Sequence, residues 1–179
     1  NNVKSFYNDK NSIRNSSYFL PYLSGERTPH NDPHIRGSFH SIKTTTNSTD
    51  LQYAVIEGVS FGILDGVNSI LKVNNNFDNI FMVGGGSKSS FWIELLASLL
   101  NRKLSVCDQS EFSAALGAAR LAMYQDDTID NKEDIISEIK INTTYEPFKD
   151  NIGILLKRYS VWKDLYNSNN KIAQNFNFN

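Results

Sequence analysis

FMVGGGSKSSFW, Phe81 to Trp92, places three consecutive glycines after an apolar run and follows them with a lysine and three serines where a helix should begin. Ile80–Val83 reads as a short buried strand. Ser89 or Ser90 reads as the cap of a helix whose apolar face is Phe91, Leu95, Leu96, Leu99 and Leu100. A strand, a glycine run and a helix start leave backbone N–H groups exposed near the positive end of the helix dipole, which favours an anion. The two commonest phosphate fingerprints fail here. GxxxxGK[ST] needs a glycine directly before the lysine, and Lys88 follows Ser87; GxGxxG needs a glycine three residues after Gly86, and that residue is Ser89. Taken alone, the stretch fits either a nucleotide-binding turn or a tight strand-to-helix turn that uses glycine for its geometry.

Downstream, Leu104–Val106 is another short strand and Ala114–Tyr124 an alanine-rich helix. Strand, helix, strand, helix in this order predicts α/β architecture. Upstream, Thr49 or Asp50 caps a long helix to about Leu71, with apolar residues at Leu51, Val55, Val59, Ile63, Val67 and Ile70. Ala54, Gly58, Gly62 and Gly66 recur at every fourth position of that helix. Each mid-helix glycine costs roughly 1 kcal/mol against alanine, so this side-chain-free ridge implies another backbone packed close against it. Asn74–Asn76 ends the unit. Tyr18–Leu23 is a strand-like run broken by Pro21, Ser24–Pro33 a loop with two prolines, and Gly37–Ile42 a second short strand. Residues 1–17 are polar and without period and are expected to form a flexible lead-in. Residues 125–134 read as an acidic loop and Asn151–Tyr166 as a helix, and residues 167–179 are expected to be disordered. One domain over 18–166 follows.

The composition bounds the partners. With 179 residues, a formal net charge of -1, 40% hydrophobic and 21% charged residues, the chain reads as one ordinary globular domain without a nucleic-acid binder's basic excess. No apolar run is expected to reach membrane-spanning length. Cys107 is the only cysteine, which excludes an internal disulfide and, with no signal-peptide pattern at the polar start, favours the cytoplasm. The sequons at Asn15, Asn47 and Asn142 then read as chance in an asparagine-rich chain. His30 and His34 lie four apart, but Pro29 and Pro33 exclude the regular helix that would align them, so a rigid polar loop is favoured over a metal site. Glu57 and Asp65 are too far apart for shared acid–base work and read as structural groups.

Four separate stretches then fall into one pattern: YFLPYLSGERTPHNDPHIRGSF (Tyr18–Phe39), LQYAVIEGVSFGILDG (Leu51–Gly66), FMVGGGSKSSFW, and SAALGAARLA (Ser113–Ala122). In this order they resemble the carboxy-terminal half of the FGGY carbohydrate kinases, in their xylulokinase branch. Gly37, Phe39, Ile42, Asp50, Leu51, Ala54, Val55, Ile56 and Glu57 fit the family's second signature, and Ser41 departs from it where the family usually has glycine. The resemblance implies an α/β, actin-like and ribonuclease-H-like ATPase fold, incomplete here as the carboxy-terminal domain of a two-domain sugar kinase. ATP, with Mg²⁺, would lie in the cleft between the domains, and the sugar mainly on the amino-terminal one. Gly84, Gly85 and Gly86 match the glycines whose backbone approaches the ribose and α-phosphate. Ser87, Ser89 and Ser90 lie at the following helix start, Ser90 standing where related kinases often place an asparagine against adenine. Gly117 matches a glycine that permits close packing between domain elements.

The loop Gly25–Asp32 favours D-xylulose over gluconate as phosphate acceptor, since gluconate kinases tend to carry GERAP followed by tryptophan and asparagine. The resemblance assigns no catalytic residue and no metal ligand to these positions, because the family's catalytic aspartate belongs to the amino-terminal domain. Without that base, a contribution of about 10²–10⁴-fold is lost, and the chain alone is expected to be inactive. Its ligands are then ATP or ADP, with D-xylulose reached through the other domain, and an unpaired strand edge is expected to favour homodimerisation. A non-catalytic module that binds a nucleotide or a partner, and another sugar kinase of the family such as a gluconate kinase, are the alternative readings.

Overall fold

α3 (Ser48–Leu71) is the helix around which the domain is built, in a computed structural model that describes residues 2–73, 79–108, 110–125, 132–135 and 140–176. Its cap is Asn47, two or three residues earlier than Thr49 or Asp50: the Asn47 side chain accepts the N–H groups of Thr49 and Asp50, and Asp50 accepts the Asn47 N–H at 3.0 Å. That reciprocal box satisfies donors the first turn would otherwise leave open. The apolar face of α3 buries Tyr53, Phe61 and Leu64. The expected close approach on the glycine ridge occurs at one position. A Cβ on Gly58 would sit 2.1 Å from the carbonyl oxygen of Phe19 in β1 (Tyr18–Leu20), whereas Gly62 would make only ordinary contact with Pro21 and Gly66 faces open space.

β1 pairs antiparallel with β2 (Ser38–His40), Phe19 opposite Phe39. Directly after β2 the chain turns at Ser41 with φ 60, a left-handed conformation that suits the glycine the family usually carries. Such a backbone costs a non-glycine residue roughly 1–2 kcal/mol, partly offset because glycine is freer in the unfolded chain. We expect Ser41→Gly to stabilise the domain by about 0.5–1 kcal/mol in urea denaturation.

The second sheet is three-stranded. β3 (Phe81–Met82) runs parallel to β4 (Leu104–Cys107), and β5 (Ile141–Tyr145) pairs antiparallel on the far side of β4. Among the described residues β3 has a partner on one side only. Between β3 and β4 the chain forms α4 (Ser90–Leu100), which is apolar nearly all round and joins the two cores. Leu95 and Leu99 enter the cluster with Tyr53, Phe61 and Trp162, while Ile93, Leu96 and Ala97 pack with Leu104 over the sheet. α5 (Ser113–Tyr124) follows β4 and buries none of its residues. α6 (Ile152–Phe176) closes the larger core with Leu155, Tyr159, Trp162 and Tyr166.

Three expectations are corrected. Residues 1–17 are not a frayed lead-in: α1 (Asn2–Asn8) and α2 (Lys10–Asn15) form there, Asp9 caps α2, and Tyr7 and Ile13 enter the main core. At seven and six residues these helices are too short to sustain a visible period, and packing against the core supplies the stability that propensity does not. The stretch 167–176 is helical as the end of α6; Asn169 donates to the Arg36 carbonyl at 2.9 Å, Asn170 to Asp32 at 2.6 Å, and Ala173 is buried. Residues 177–179 lie outside the described residues, as do Asn74–Asn76 and most of the acidic stretch 125–134. Finally, α3 is long and apolar enough to cross a membrane by length and composition. Its buried Glu57, ion-paired to Arg158 of α6, and its contacts with β1 identify it as the packing helix of the core.

Candidate functional site

The parallel pair β3–β4 directs two strand-to-helix turns to the same edge of the sheet. The first is Gly84 followed by a 3₁₀ turn over Gly85–Lys88, and the second a 3₁₀ turn over Ser110–Phe112 that leads into α5. Three contacts join them and a fourth braces the first turn from within. The Gly84 N–H donates to the Ser110 carbonyl at 2.8 Å, the Ser110 hydroxyl donates to the Ser87 hydroxyl at 2.8 Å, the Ser87 hydroxyl donates to the Gly84 carbonyl at 2.7 Å, and Lys88 pairs with Glu111. Ser113 adds a hydrogen bond of 2.6 Å to the Ser110 carbonyl. The carboxyl ends of adjacent parallel strands are where open α/β sheets bind ligands, because the flanking turns diverge there and expose backbone donors.

The glycines divide by role. Gly84 adopts φ 77, a conformation that suits glycine, and both Gly84 and Gly85 face open space where a side chain would stand. Gly86 faces inward: a Cβ there would meet the Trp92 ring at 2.6 Å and the Met82 side chain at 2.9 Å. Trp92 is in turn fixed by its indole N–H, which donates to the Ser60 hydroxyl of α3 at 2.9 Å. The N–H groups of Gly85 and Gly86 begin the 3₁₀ turn and so have no acceptor within it. The serines divide too. The Ser87 hydroxyl is held between the turns, Ser89 caps α4 by accepting the Trp92 N–H at 3.3 Å, and Ser90 is exposed at the first position of α4. Gly117 lies on α5 with nothing within 4 Å of an added Cβ, so the close packing expected there has no partner among the described residues.

Sequence reasoning missed Ser110 and the Lys88–Glu111 pair. Their only signal is position: Ser110 lies between a strand and a helix, as the glycine turn does, and the pairing of parallel strands is what brings the two turns together.

The histidine loop is structural. Glu26 accepts the His30 N–H at 2.8 Å, Asp32 accepts the N–H groups of His34 and Ile35, and the His30 ring stacks on Tyr166 at 3.7 Å with Nε2 3.1 Å from Asp65. No group of three metal-ligating side chains occurs among the described residues. Glu57 and Asp65 likewise serve packing. Burial pushes the Glu57 carboxyl up, opposed by its two hydrogen bonds from Arg158 at 2.8 and 2.7 Å and one from Tyr53. Asp65 accepts the Tyr159 hydroxyl at 2.7 Å.

The element order, the parallel pair with its two joined turns and the covering helices are those of the carboxy-terminal domain of sugar kinases of the actin-like, ribonuclease-H-like class. A family model described as "FGGY family of carbohydrate kinases, C-terminal domain" matches residues 7–125, and the chain belongs to that family. Among curated relatives, the xylulose kinase of Staphylococcus epidermidis is 33% identical over 160 residues, 89% of this chain and 32% of the relative. A solved xylulose kinase from Brucella ovis superimposes with a TM-score of 0.74 at 30% identity, covering 93% of this chain and 37% of that one. The gluconate kinase from Lactobacillus acidophilus reaches the same TM-score at 26% identity over 98% of this chain and 35% of its own. The chain thus spans about a third of the length of the curated relatives it matches.

Proposed function

We propose that the chain is the nucleotide side of an FGGY kinase that transfers the γ-phosphate of ATP to D-xylulose and forms D-xylulose 5-phosphate. The observation that carries this reading is the open face of Gly84 and Gly85 at the carboxyl end of a parallel strand, braced by Ser110 of the neighbouring turn. Without side chains there, the ribose and α-phosphate can approach the backbone, and the free N–H groups of the first 3₁₀ turn can meet the phosphate oxygens. Gly86 also makes room for Trp92, whose ring a Cβ there would meet, while its backbone N–H stays on the side of the first turn that lacks an acceptor. Ser87 and Ser89 hold the turn and cap the helix, and Ser90 alone among these serines is free to face the base. In this reading the chain's part is to bind and orient the nucleotide.

Xylulose is favoured over gluconate by the loop Gly25–Asp32 and by the identities of the curated relatives, because the fold superimposes equally on both kinds of kinase. The test is to express the chain together with whatever segment the gene encodes upstream of Asn1 and to measure ADP release with D-xylulose, D-gluconate and no sugar. D-xylulose-dependent release, absent from the 179-residue chain alone, is the expected result. Release with gluconate instead would replace the sugar, and silence from a well-folded full protein would favour a non-catalytic nucleotide-binding module.

A further inference from the structure

A groove of about 400 Å³ opens between α2 and α6, and no residue of the glycine turn lines it. Lys10 and Arg14 project from one face of α2, four residues apart, and Lys157 and Arg158 from α6 opposite them; Asp150 is the one carboxylate in the lining. Lys10, Arg14 and Lys157 are exposed and have no ion pair among the described residues. Arg158 differs from them. Its guanidinium is buried and immobilised, donating through Nε and Nη2 to Glu57, through Nη2 to the Ser17 carbonyl and through Nη1 to the Ser16 carbonyl, with the Tyr18 ring 4.1 Å from Cζ. Guanidinium carries five N–H donors, and these bonds use four. The second Nη1 hydrogen has no partner among the described residues, so the guanidinium keeps one donor for an acceptor in the groove that Arg158 lines.

We propose that this groove binds the phosphate group of a small phosphorylated molecule, inorganic phosphate or a sugar phosphate. One guanidinium fixed by its hydrogen bonds and three exposed cations in the same lining match an anion with several oxygens and more than one charge, which a carboxylate lacks. The groove is small, its cations are confined to one cluster, and the chain carries no basic excess, which favours a small anion over a nucleic-acid backbone. The site is independent of the proposed nucleotide edge, and its failure would leave that reading untouched.

The test is a titration of the 179-residue chain with inorganic phosphate and, separately, with D-ribose 5-phosphate, followed by amide NMR at ionic strength held constant with sodium chloride. Saturable shifts at Arg14, Tyr18 and Lys157 are expected. The double variant Arg14→Gln, Lys157→Gln should weaken binding about tenfold or more, while Lys163→Gln, elsewhere on α6, should leave it unchanged. Tighter binding of the sugar phosphate would assign the sugar moiety to the groove, and equal binding would assign the phosphate alone. If the double variant disturbs α2, Lys10→Gln with Lys157→Gln serves in its place. Shifts that chloride reproduces, or a folded double variant that binds like the parent, would overturn the proposal.

Discussion

Replacing Glu57 with alanine should cost the domain about 3–5 kcal/mol in urea denaturation, the loss expected when one partner of a buried pair is removed and the other charge stays inside. Glu57 and Arg158 are 1% and 4% exposed, so almost no water reaches the charge left behind. Their two hydrogen bonds join α3 to α6, and two further Arg158 donors hold the Ser16 and Ser17 carbonyls where α2 passes into β1. One truncation therefore loosens four elements at once. Since a whole domain is stable by only about 5–15 kcal/mol, the variant should lie close to the unfolding threshold. Replacing both partners, Glu57→Leu with Arg158→Met, should cost much less, because no charge is then left uncompensated. A single-variant loss below about 1 kcal/mol would show that the pair contributes little to holding these elements together.

Gly58→Ala should be the most damaging one-carbon change in the chain. Its Cβ would lie 2.1 Å from the Phe19 carbonyl oxygen, a backbone atom that cannot swing aside as a side-chain tip can. The same oxygen accepts the indole N–H of Trp162 at 2.8 Å, so moving β1 away from α3 also breaks a buried hydrogen bond. Overpacking costs about 1–3 kcal/mol and a lost hydrogen bond about 1 kcal/mol more, which makes roughly 3 kcal/mol the expected loss. Gly66→Ala is the control. Nothing stands within 4 Å of its added methyl group, and replacing a mid-helix glycine there should stabilise by about 0.5–1 kcal/mol. Equal effects at the two positions would refute the close approach at Gly58.

This contrast also shows what the chain's pattern could and could not disclose. The four-residue spacing from Ala54 to Gly66 announced a backbone against α3, because glycine in mid-helix has a local cost that something must offset, but spacing carries no sign of which ridge position receives the contact. α4 was legible for a similar reason: its apolar residues are dense enough to show a period, and Ser89 marks its start. α1, α2 and the end of α6 were not, since each offers only one to three apolar residues within about two turns, among asparagines and serines, and their helices are held by partners distant in the chain. At the candidate site the glycine turn stood out through its composition. Its brace at Ser110 did not, because the register of β3 against β4 is a property of the assembled sheet. Three adjacent glycines look alike in a sequence, and only the position of Trp92 separates Gly86, whose added Cβ would face inward, from the two that face open space.

The central claim, that the Gly84–Gly85 edge receives a nucleotide, is tested most directly by titrating the isotopically labelled chain with ADP and following its amides. The account expects Gly84, Gly85, Ser87 and Ser110 to shift together along one saturating curve, with Ser90 among the residues affected, and Gly85→Val to abolish the response without unfolding the domain, since a side chain there meets open space. Saturable shifts that leave these residues still and move others, or a Gly85→Val variant that binds ADP like the parent, would contradict it.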